Sequence, residues 1–324
     1  MVKLASAEMA EKKLATRAAF GATLAELAEE GVPVVAVDAD LTGSTTTKKF
    51  AAAAPENADK LFNCGIAEQN MIDVAAGLAL TGHVAYTGSF AVFGTGRAYD
   101  QIRNTVCYSN LDVKICPTHA GVSVGPDGGS HQMLEDVSLM RGLPNMRVLV
   151  PADYAAARAA IKLAAKTPGP VYVRMGRAAV PCVYDDDVEL ELGCAYVLRE
   201  GTDATVVACG VEIREALAAA DALAEEGVSI EVIDAFSVKP LDEDTITASV
   251  AKTGCCVVAE EHSVHGGLGS AVAECLARKN PAPCEFVGVQ DRFGKSGEFE
   301  ELLGYFNLDA AAIVEAVKRA MGRK

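Results

Sequence analysis

Two patterns of apolar and polar positions follow each other repeatedly along this chain. Short apolar runs typical of buried strands occur at 34–37, 84–86, 113–116, 171–173, 205–208, 230–233, 256–259 and 286–289. The stretches between them carry apolar residues at the three-and-four spacing of a helix face. Strands that alternate with helices form parallel sheets covered on both faces, so the pattern predicts an α/β protein.

The alternation lapses once, between Arg177 and Gly193, where Pro181 and an acidic run at 185–187 interrupt it. We therefore predict two domains, 1–180 and 194–324, joined by a linker at 181–193. Each domain is expected to be a mostly parallel sheet with helices on both faces. A chain of 324 residues with 50% hydrophobic content can bury cores of this size.

Charge and cysteine content exclude several classes of function. The net charge of −15 argues against nucleic acid and anionic membranes as partners, so an anionic substrate needs a local basic site. Ten scattered cysteines without a Cys-x-x-Cys pair are interpreted as small core residues. The sequence shows neither an apolar stretch of membrane length nor a signal-peptide core, so we expect a cytoplasmic protein.

One carboxylate, Glu68, stands in the first turn of a helix predicted from the apolar positions Met71, Val74, Ala75 and Leu78. A glutamate at this place is usually a partner of the helix dipole or a capping residue. The segments downstream of Glu68 change that expectation. A glycine-rich stretch carries Phe90 and Phe93, and a polar loop at 118–132 carries two histidines and an aspartate. Such loops at strand ends are where α/β proteins bind ligands.

The order of these three segments resembles the pyrimidine-binding half of transketolase, a thiamine diphosphate enzyme, and the rest of the chain resembles its C-terminal domain. The resemblance implies that Glu68 protonates the aminopyrimidine ring of the cofactor. It implies that Phe90 and Phe93 form the apolar wall on which that ring stacks. It also places Asp40 near the cofactor, although Asp40 alone could be an Asx-turn residue.

Substrate residues are likewise implied by the resemblance. His131 binds the ketol oxygens of the donor and helps to move a proton, and Asp127 binds a hydroxyl next to the reacting carbon. The family's phosphate-binding positions match Arg17, Ser44, His119 and Arg174. An arginine that binds through two donors suits a phosphate on an acidic protein. Gly128-Gly129-Ser130 departs from the family's usual Gly-Pro-Thr, which leaves the donor sugar open.

The Gly-Asp-Gly motif, which holds the metal and the diphosphate in thiamine enzymes, does not occur in this sequence. The resemblance therefore implies a split transketolase, whose separately encoded N-terminal subunit binds Mg²⁺ or Ca²⁺ and the diphosphate. No metal ligand is predicted on this chain, and an α2β2 heterotetramer is expected. The expected reaction is transfer of a two-carbon ketol unit from a ketose phosphate to an aldose phosphate.

Several alternatives stay open from the sequence. The chain could serve a deoxyxylulose phosphate synthase-like enzyme, an oxo-acid dehydrogenase as its beta subunit, or a transketolase for unusual sugars such as sulfonated ones. It could also be a non-catalytic scaffold. In the second domain, the glycine cluster at 266–269 is interpreted as close packing, while His262 and His265 lack the further ligands of a zinc site.

Overall fold

The computed structural model describes residues 2–324. Its strands are β1 (Lys13–Ala15), β2 (Val34–Asp38), β3 (Leu61–Asn63), β4 (Val84–Gly88), β5 (Val113–Ile115), β6 (Arg147–Leu149), β7 (Val171–Val173), β8 (Ala179–Pro181), β9 (Tyr196–Arg199), β10 (Ala204–Ala208), β11 (Ile230–Asp234), β12 (Ser237–Lys239), β13 (Cys256–Ser263) and β14 (Cys284–Val289). All eight strands that the apolar runs predict are present, which confirms the α/β class.

The helices are α1 (Ala7–Ala10), α2 (Ala18–Glu29), α3 (Thr42–Thr45), α4 (Thr47–Ala53), α5 (Pro55–Ala58), α6 (Glu68–Leu80), α7 (Tyr99–Gln101), α8 (Asp136–Arg141), α9 (Tyr154–Lys166), α10 (Glu212–Glu225), α11 (Glu243–Thr253), α12 (Leu268–Lys279), α13 (Phe299–Phe306) and α14 (Ala310–Met321). Val92–Arg97 and Ile102–Tyr108 wind as π-helix, and Val122–Asp127 forms a distorted 3₁₀ segment with an irregular Gly125. Within 2–324, no helix is long and apolar enough to cross a membrane.

Two sheets organise the molecule. The larger has the order β12-β6-β7-β5-β4-β2-β3, and all its pairs are parallel except that of β12 with β6. The smaller has the order β14-β13-β10-β11-β9 and is parallel except for the edge strand β9. The strands β2 and β4 are buried along their full length, as strands covered on both faces must be.

The two halves of the chain are closely joined. Strand β12 follows β11 of the smaller sheet in sequence, yet it completes the edge of the larger sheet by pairing with β6. Buried apolar residues from both sheets, such as Leu149 and Val206, belong to one continuous cluster. All ten cysteines are free thiols, and seven of them are buried, as expected for small core residues. Contacts between the halves can therefore position residues of the site.

Candidate active site

Strand ends bring the predicted site residues together. Strands β2, β4 and β5 are neighbours in the larger sheet, and the segments that follow their carboxyl ends carry Asp40, Phe90 and His119. Phe90 and Thr118 form an isolated parallel bridge beyond the ends of β4 and β5. The carboxyl edge of a parallel sheet is the usual place for a ligand in an open α/β fold.

Glu68 is the first residue of α6, and its side chain is only 2% exposed. Arg97 lies at the end of the π-helical segment and donates from Nη1 to Oε2 of Glu68 over 2.9 Å. Gln69 donates to the carbonyl oxygen of Arg97 over 3.3 Å. Sequence reasoning missed Arg97. The π-helical winding, a feature that is common at functional sites, brings its side chain to Glu68.

An aromatic wall lies beside this pair. The rings of Phe90 and Phe93 are nearly parallel, 17° apart, with centroids separated by 6.2 Å. The guanidinium carbon of Arg97 lies 4.7 Å from the centre of the Phe93 ring, within cation–π range. His131 meets Phe93 edge to face at 5.4 Å, and His119 stacks on Phe90 at 3.7 Å. The wall thus connects Glu68 with the two histidines.

His119 is held as a neutral imidazole. Its side chain is buried, and Nδ1 shares a hydrogen bond of 2.7 Å with the hydroxyl of Thr118. Burial, together with the positive charges of Arg17 and Arg177, lowers the pKa of His119 to about 3. The backbone of His119 is left-handed, with φ of 61°, a conformation that costs energy in a residue other than glycine and that is frequent at active sites.

Two arginines near His119 form a basic site on this acidic chain. Arg17 donates to the carbonyl oxygen of Ser44 over 2.9 Å, which ties the start of α2 to α3. Burial and the Arg177 guanidinium lower the pKa of Arg17, whereas Asp127 raises it. Arg177 donates to the carbonyl oxygen of Val124 over 3.0 Å. Guanidinium groups that share a small space with a neutral imidazole suit an oxyanion.

Arg174, predicted as a phosphate ligand, lies elsewhere. Its side chain is 7% exposed, and its guanidinium donates to both carboxylate oxygens of Asp136, over 2.7 and 3.2 Å. It also donates to the carbonyl oxygen of Glu261, and Tyr172 donates to Asp136. Its donors are engaged by the protein interior, so the predicted phosphate role is corrected. The residue at the basic site is Arg177, three positions later, which sequence reasoning passed over.

The remaining predicted residues, Asp40, Asp127 and His131, lie in segments that follow strand ends and are at least partly exposed. Asp40 is exposed in a left-handed conformation, with φ of 63°, and its amide donates to Asn63 at the end of β3 over 3.0 Å. Asp127 is exposed at the end of the 3₁₀ segment. His131 is half-buried, and its Nδ1 shares a hydrogen bond of 3.0 Å with the hydroxyl of Ser130.

This arrangement fits the pyrimidine end of a thiamine cofactor. A buried carboxylate at a helix start can share a proton with a ring nitrogen, and parallel aromatic rings beside it can stack on a planar ring. In the part of the chain from 2 to 324, no group of three or more His, Cys, Asp or Glu side chains is arranged to hold a metal ion. The fit concerns the ring of the cofactor.

Comparison with known proteins adds independent findings. Residues 12–183 match the family model described as transketolase, pyrimidine binding domain, and residues 193–313 match transketolase, C-terminal domain. The chain is 44% identical over 311 residues to a putative transketolase C-terminal section of Methanocaldococcus jannaschii, covering 95% of this chain and 96% of that protein. It is 42% identical to a 6-deoxy-6-sulfo-D-fructose transketolase subunit of Clostridium sp. (strain MSTE9), covering 93% and 92%.

A solved structure described as a split gene transketolase, inactive beta4 tetramer, superimposes with a TM-score of 0.87 at 48% identity. The match covers 96% of this chain and 99% of that chain. The likeness thus extends over essentially the whole length of both chains, through both sheets.

Proposed function

The chain belongs to the transketolase family, and from this premise we propose that it is the C-terminal subunit of a two-chain transketolase. The enzyme moves a two-carbon ketol unit from a ketose to an aldose, with thiamine diphosphate as cofactor. A separately encoded N-terminal subunit binds the diphosphate and a divalent cation, Mg²⁺ or Ca²⁺. Two copies of each subunit form an α2β2 heterotetramer.

The observation that carries this proposal is the buried carboxylate of Glu68, whose partner Arg97 lies against the ring of Phe93 and so beside the parallel rings of Phe90 and Phe93. When bound, thiamine diphosphate supplies the nucleophilic carbon that accepts the ketol unit. Glu68 gives a proton to the ring nitrogen, and the two phenylalanines stack on the ring and exclude water. Asp40, at the end of β2, lies towards the cofactor.

The substrate binds along the polar loop with its two ends separated. His131 binds the ketol oxygens and moves a proton at the reacting end, while Asp127 binds a neighbouring hydroxyl. Arg17 and Arg177, with the neutral His119 and the region of Ser44, bind the anionic end of the sugar. Arg177 takes the place that the sequence assigned to Arg174. Support for this division comes from the grouping of the two guanidinium groups around His119.

A second candidate substrate class is a sulfonated sugar. A relative that is 42% identical carries that activity in its name, and two arginines can also bind a sulfonate because, like a phosphate, it presents oxygens in a tetrahedral arrangement. A sugar phosphate can carry two negative charges and a sulfonate only one. Comparison of kcat/KM for matched phosphorylated and sulfonated ketose donors decides between the two classes.

The central test mixes the chain with its N-terminal partner. Calorimetry of the chain alone with thiamine diphosphate and Mg²⁺ should show weak binding, and addition of the partner should give tight binding and transfer activity. Micromolar binding by the chain alone would contradict the split site. In the complex, Glu68→Gln should reduce turnover on the order of 10²- to 10⁴-fold, because an amide cannot transfer the proton. Unchanged hydrogen–deuterium exchange at the thiazolium carbon in this variant would exclude the role of Glu68.

A further inference from the structure

Two adjacent glutamates on β13, Glu260 and Glu261, are both about 3% exposed and have different partners. Successive side chains of a strand point to opposite faces of its sheet. Glu260 accepts hydrogen bonds of 2.8 Å from the amides of Leu268 and Gly269, at the start of α12 in its own half of the chain. Glu261 lies on the other face, and its Oε1 accepts a hydrogen bond from the amide of Ser123.

The loop that contains Ser123 leaves space for this carboxylate because residue 121 is a glycine. A Cβ atom on Gly121 would overlap the carboxyl group of Glu261. Gly121 also has φ of +77°, in the left-handed region that favours glycine. The contact lies between His119 and Asp127 in sequence. Glu261 therefore holds the loop at a point between two residues of the proposed substrate site.

Arg174 contacts both the backbone and the carboxylate of Glu261. It donates to the carbonyl oxygen of Glu261 over 2.9 Å, and its Nη1 lies 3.8 Å from Oε2 of the same residue. Burial raises the pKa of Glu261 to about 7, although Arg174 and the Ser123 amide both favour the charged form. A carboxylate buried at such a cost is poorly explained by stability alone, since apolar packing would serve better.

The far end of the same loop is held by the same half of the chain. Gln132 donates to the carbonyl oxygen of Lys295 over 2.9 Å and accepts from its amide over 2.8 Å. A Cβ on Gly129 would lie 2.7 Å from the carbonyl oxygen of Gly294, so the two backbones are in close contact. The loop that carries the substrate residues is thus fixed at two points by the C-terminal half.

We infer that Glu261 is a positioning residue for substrate binding, which holds the segment 119–131 so that His119, Asp127 and His131 face the sugar. This inference rests on the proposed function. Glu261 itself contacts the loop backbone and is not a catalytic residue. The C-terminal half thereby contributes to sugar affinity through the hydrogen bond that the amide of Ser123 donates to Glu261.

The test compares Glu261→Ala and Glu261→Gln with the matched control Glu260→Ala, whose hydrogen bonds stay within the C-terminal half. Amide hydrogen exchange of peptides that cover 119–131 is measured by mass spectrometry on the full chain alone. In Glu261→Ala, exchange should be roughly ten- to hundred-fold faster, the range for loss of a hydrogen bond to a charged group. Glu261→Gln keeps an acceptor oxygen and should restore most of the protection, while Glu260→Ala should leave these peptides unchanged.

In the reconstituted complex, Glu261→Ala should raise the KM for the sugar roughly ten-fold and leave the Kd of thiamine diphosphate within about two-fold. Unchanged exchange, unchanged KM, or equal effects of Glu260→Ala and Glu261→Ala would each overturn the inference. Should Glu261→Ala not fold, Gly121→Ala places a methyl group where the carboxylate lies and is expected to accelerate exchange in the same peptides. A wild-type complex without transferase activity would refute the proposed function. The exchange measurement on the chain alone would still show whether Glu261 orders the segment 119–131.

Discussion

Arg174 and Arg177 lie three residues apart after β7, and the structure predicts opposite consequences for their loss. Arg174→Ala removes the charge partner of Asp136, whose side chain is fully buried. Removing one partner of a buried ion pair costs about 3–5 kcal/mol. At about 2–4 °C per kcal/mol for a domain of 150–250 residues, the Tm should fall by roughly 6–20 °C.

Arg177→Ala should instead change recognition. Arg177 is half-buried and donates to one backbone carbonyl, so the fold loses little when it is removed. The loss of a charged hydrogen-bond donor to an anion costs about 1.5–3 kcal/mol, which lowers kcat/KM for a phosphorylated acceptor roughly ten- to hundred-fold. An unphosphorylated acceptor such as glycolaldehyde should be used almost normally. Arg177→Lys keeps the charge without the planar guanidinium, so its kcat/KM for the phosphorylated acceptor should lie between those of wild type and Arg177→Ala.

The assay combines thermal unfolding of the full chain with steady-state kinetics of the reconstituted complex on matched acceptors. A Tm of Arg174→Ala within about 2 °C of wild type, together with a selective fall in kcat/KM for phosphorylated acceptors, would contradict the structural role of Arg174. Equal losses on both acceptors in Arg177→Ala would show that Arg177 supports the loop through Val124 and does not bind the anion.

Three further predictions concern individual side chains. A double-mutant cycle of Arg97→Ala and Glu68→Gln, measured by unfolding, should give a coupling free energy of about 1 kcal/mol or less, because Arg97 is half exposed. Additive effects of the two substitutions would show that this ion pair does not contribute to stability. The pKa of His119 is about 3 in the folded protein and about 6.5 in the unfolded chain, so the unfolded state binds more protons between these values. Wild type should therefore lose stability relative to His119→Asn as the pH falls from 6.5 towards 3. A difference in Tm that does not change with pH would contradict this. Asp127→Ala should reduce discrimination between epimeric sugars and leave phosphate preference intact, as kcat/KM for paired epimers would show.

The fold was readable from sequence because its central strands are buried on both faces. Apolar runs such as 84–86 and 256–259 leave little choice between strand and helix when turn residues bound them. The strands that the pattern missed are short or at an edge, for example β3 and β9, and the burial of β9 is only partial along its length. In β12 the difficulty is topological, because nothing local indicates that 237–239 joins the sheet of the other half.

The site was partly readable for a different reason. Glu68 is indicated by its place at the start of an amphipathic helix. The histidine loop is indicated by two histidines and an aspartate in a glycine-rich segment. The distinction between Arg174 and Arg177 depends on the direction in which each side chain leaves the end of β7. Arg174 turns towards Asp136 on α8, whereas Arg177 turns towards Val124. Only the structure shows that Asp136, in the first turn of α8, is buried and so requires a cationic partner.

The two ends of the proposed site differ in how this chain supports them. At the substrate end, Glu261 and Gln132 hold the loop through hydrogen bonds that lie entirely within one polypeptide. At the cofactor end, the buried Glu68 is paired with Arg97, whose side chain is half exposed, so solvent or a ligand can compete for that cation. Substitutions in the loop should therefore be measurable on the chain by itself, through amide exchange. The effect of Glu68 substitutions on turnover needs the complete complex, because this sequence lacks the Gly-Asp-Gly motif for the diphosphate.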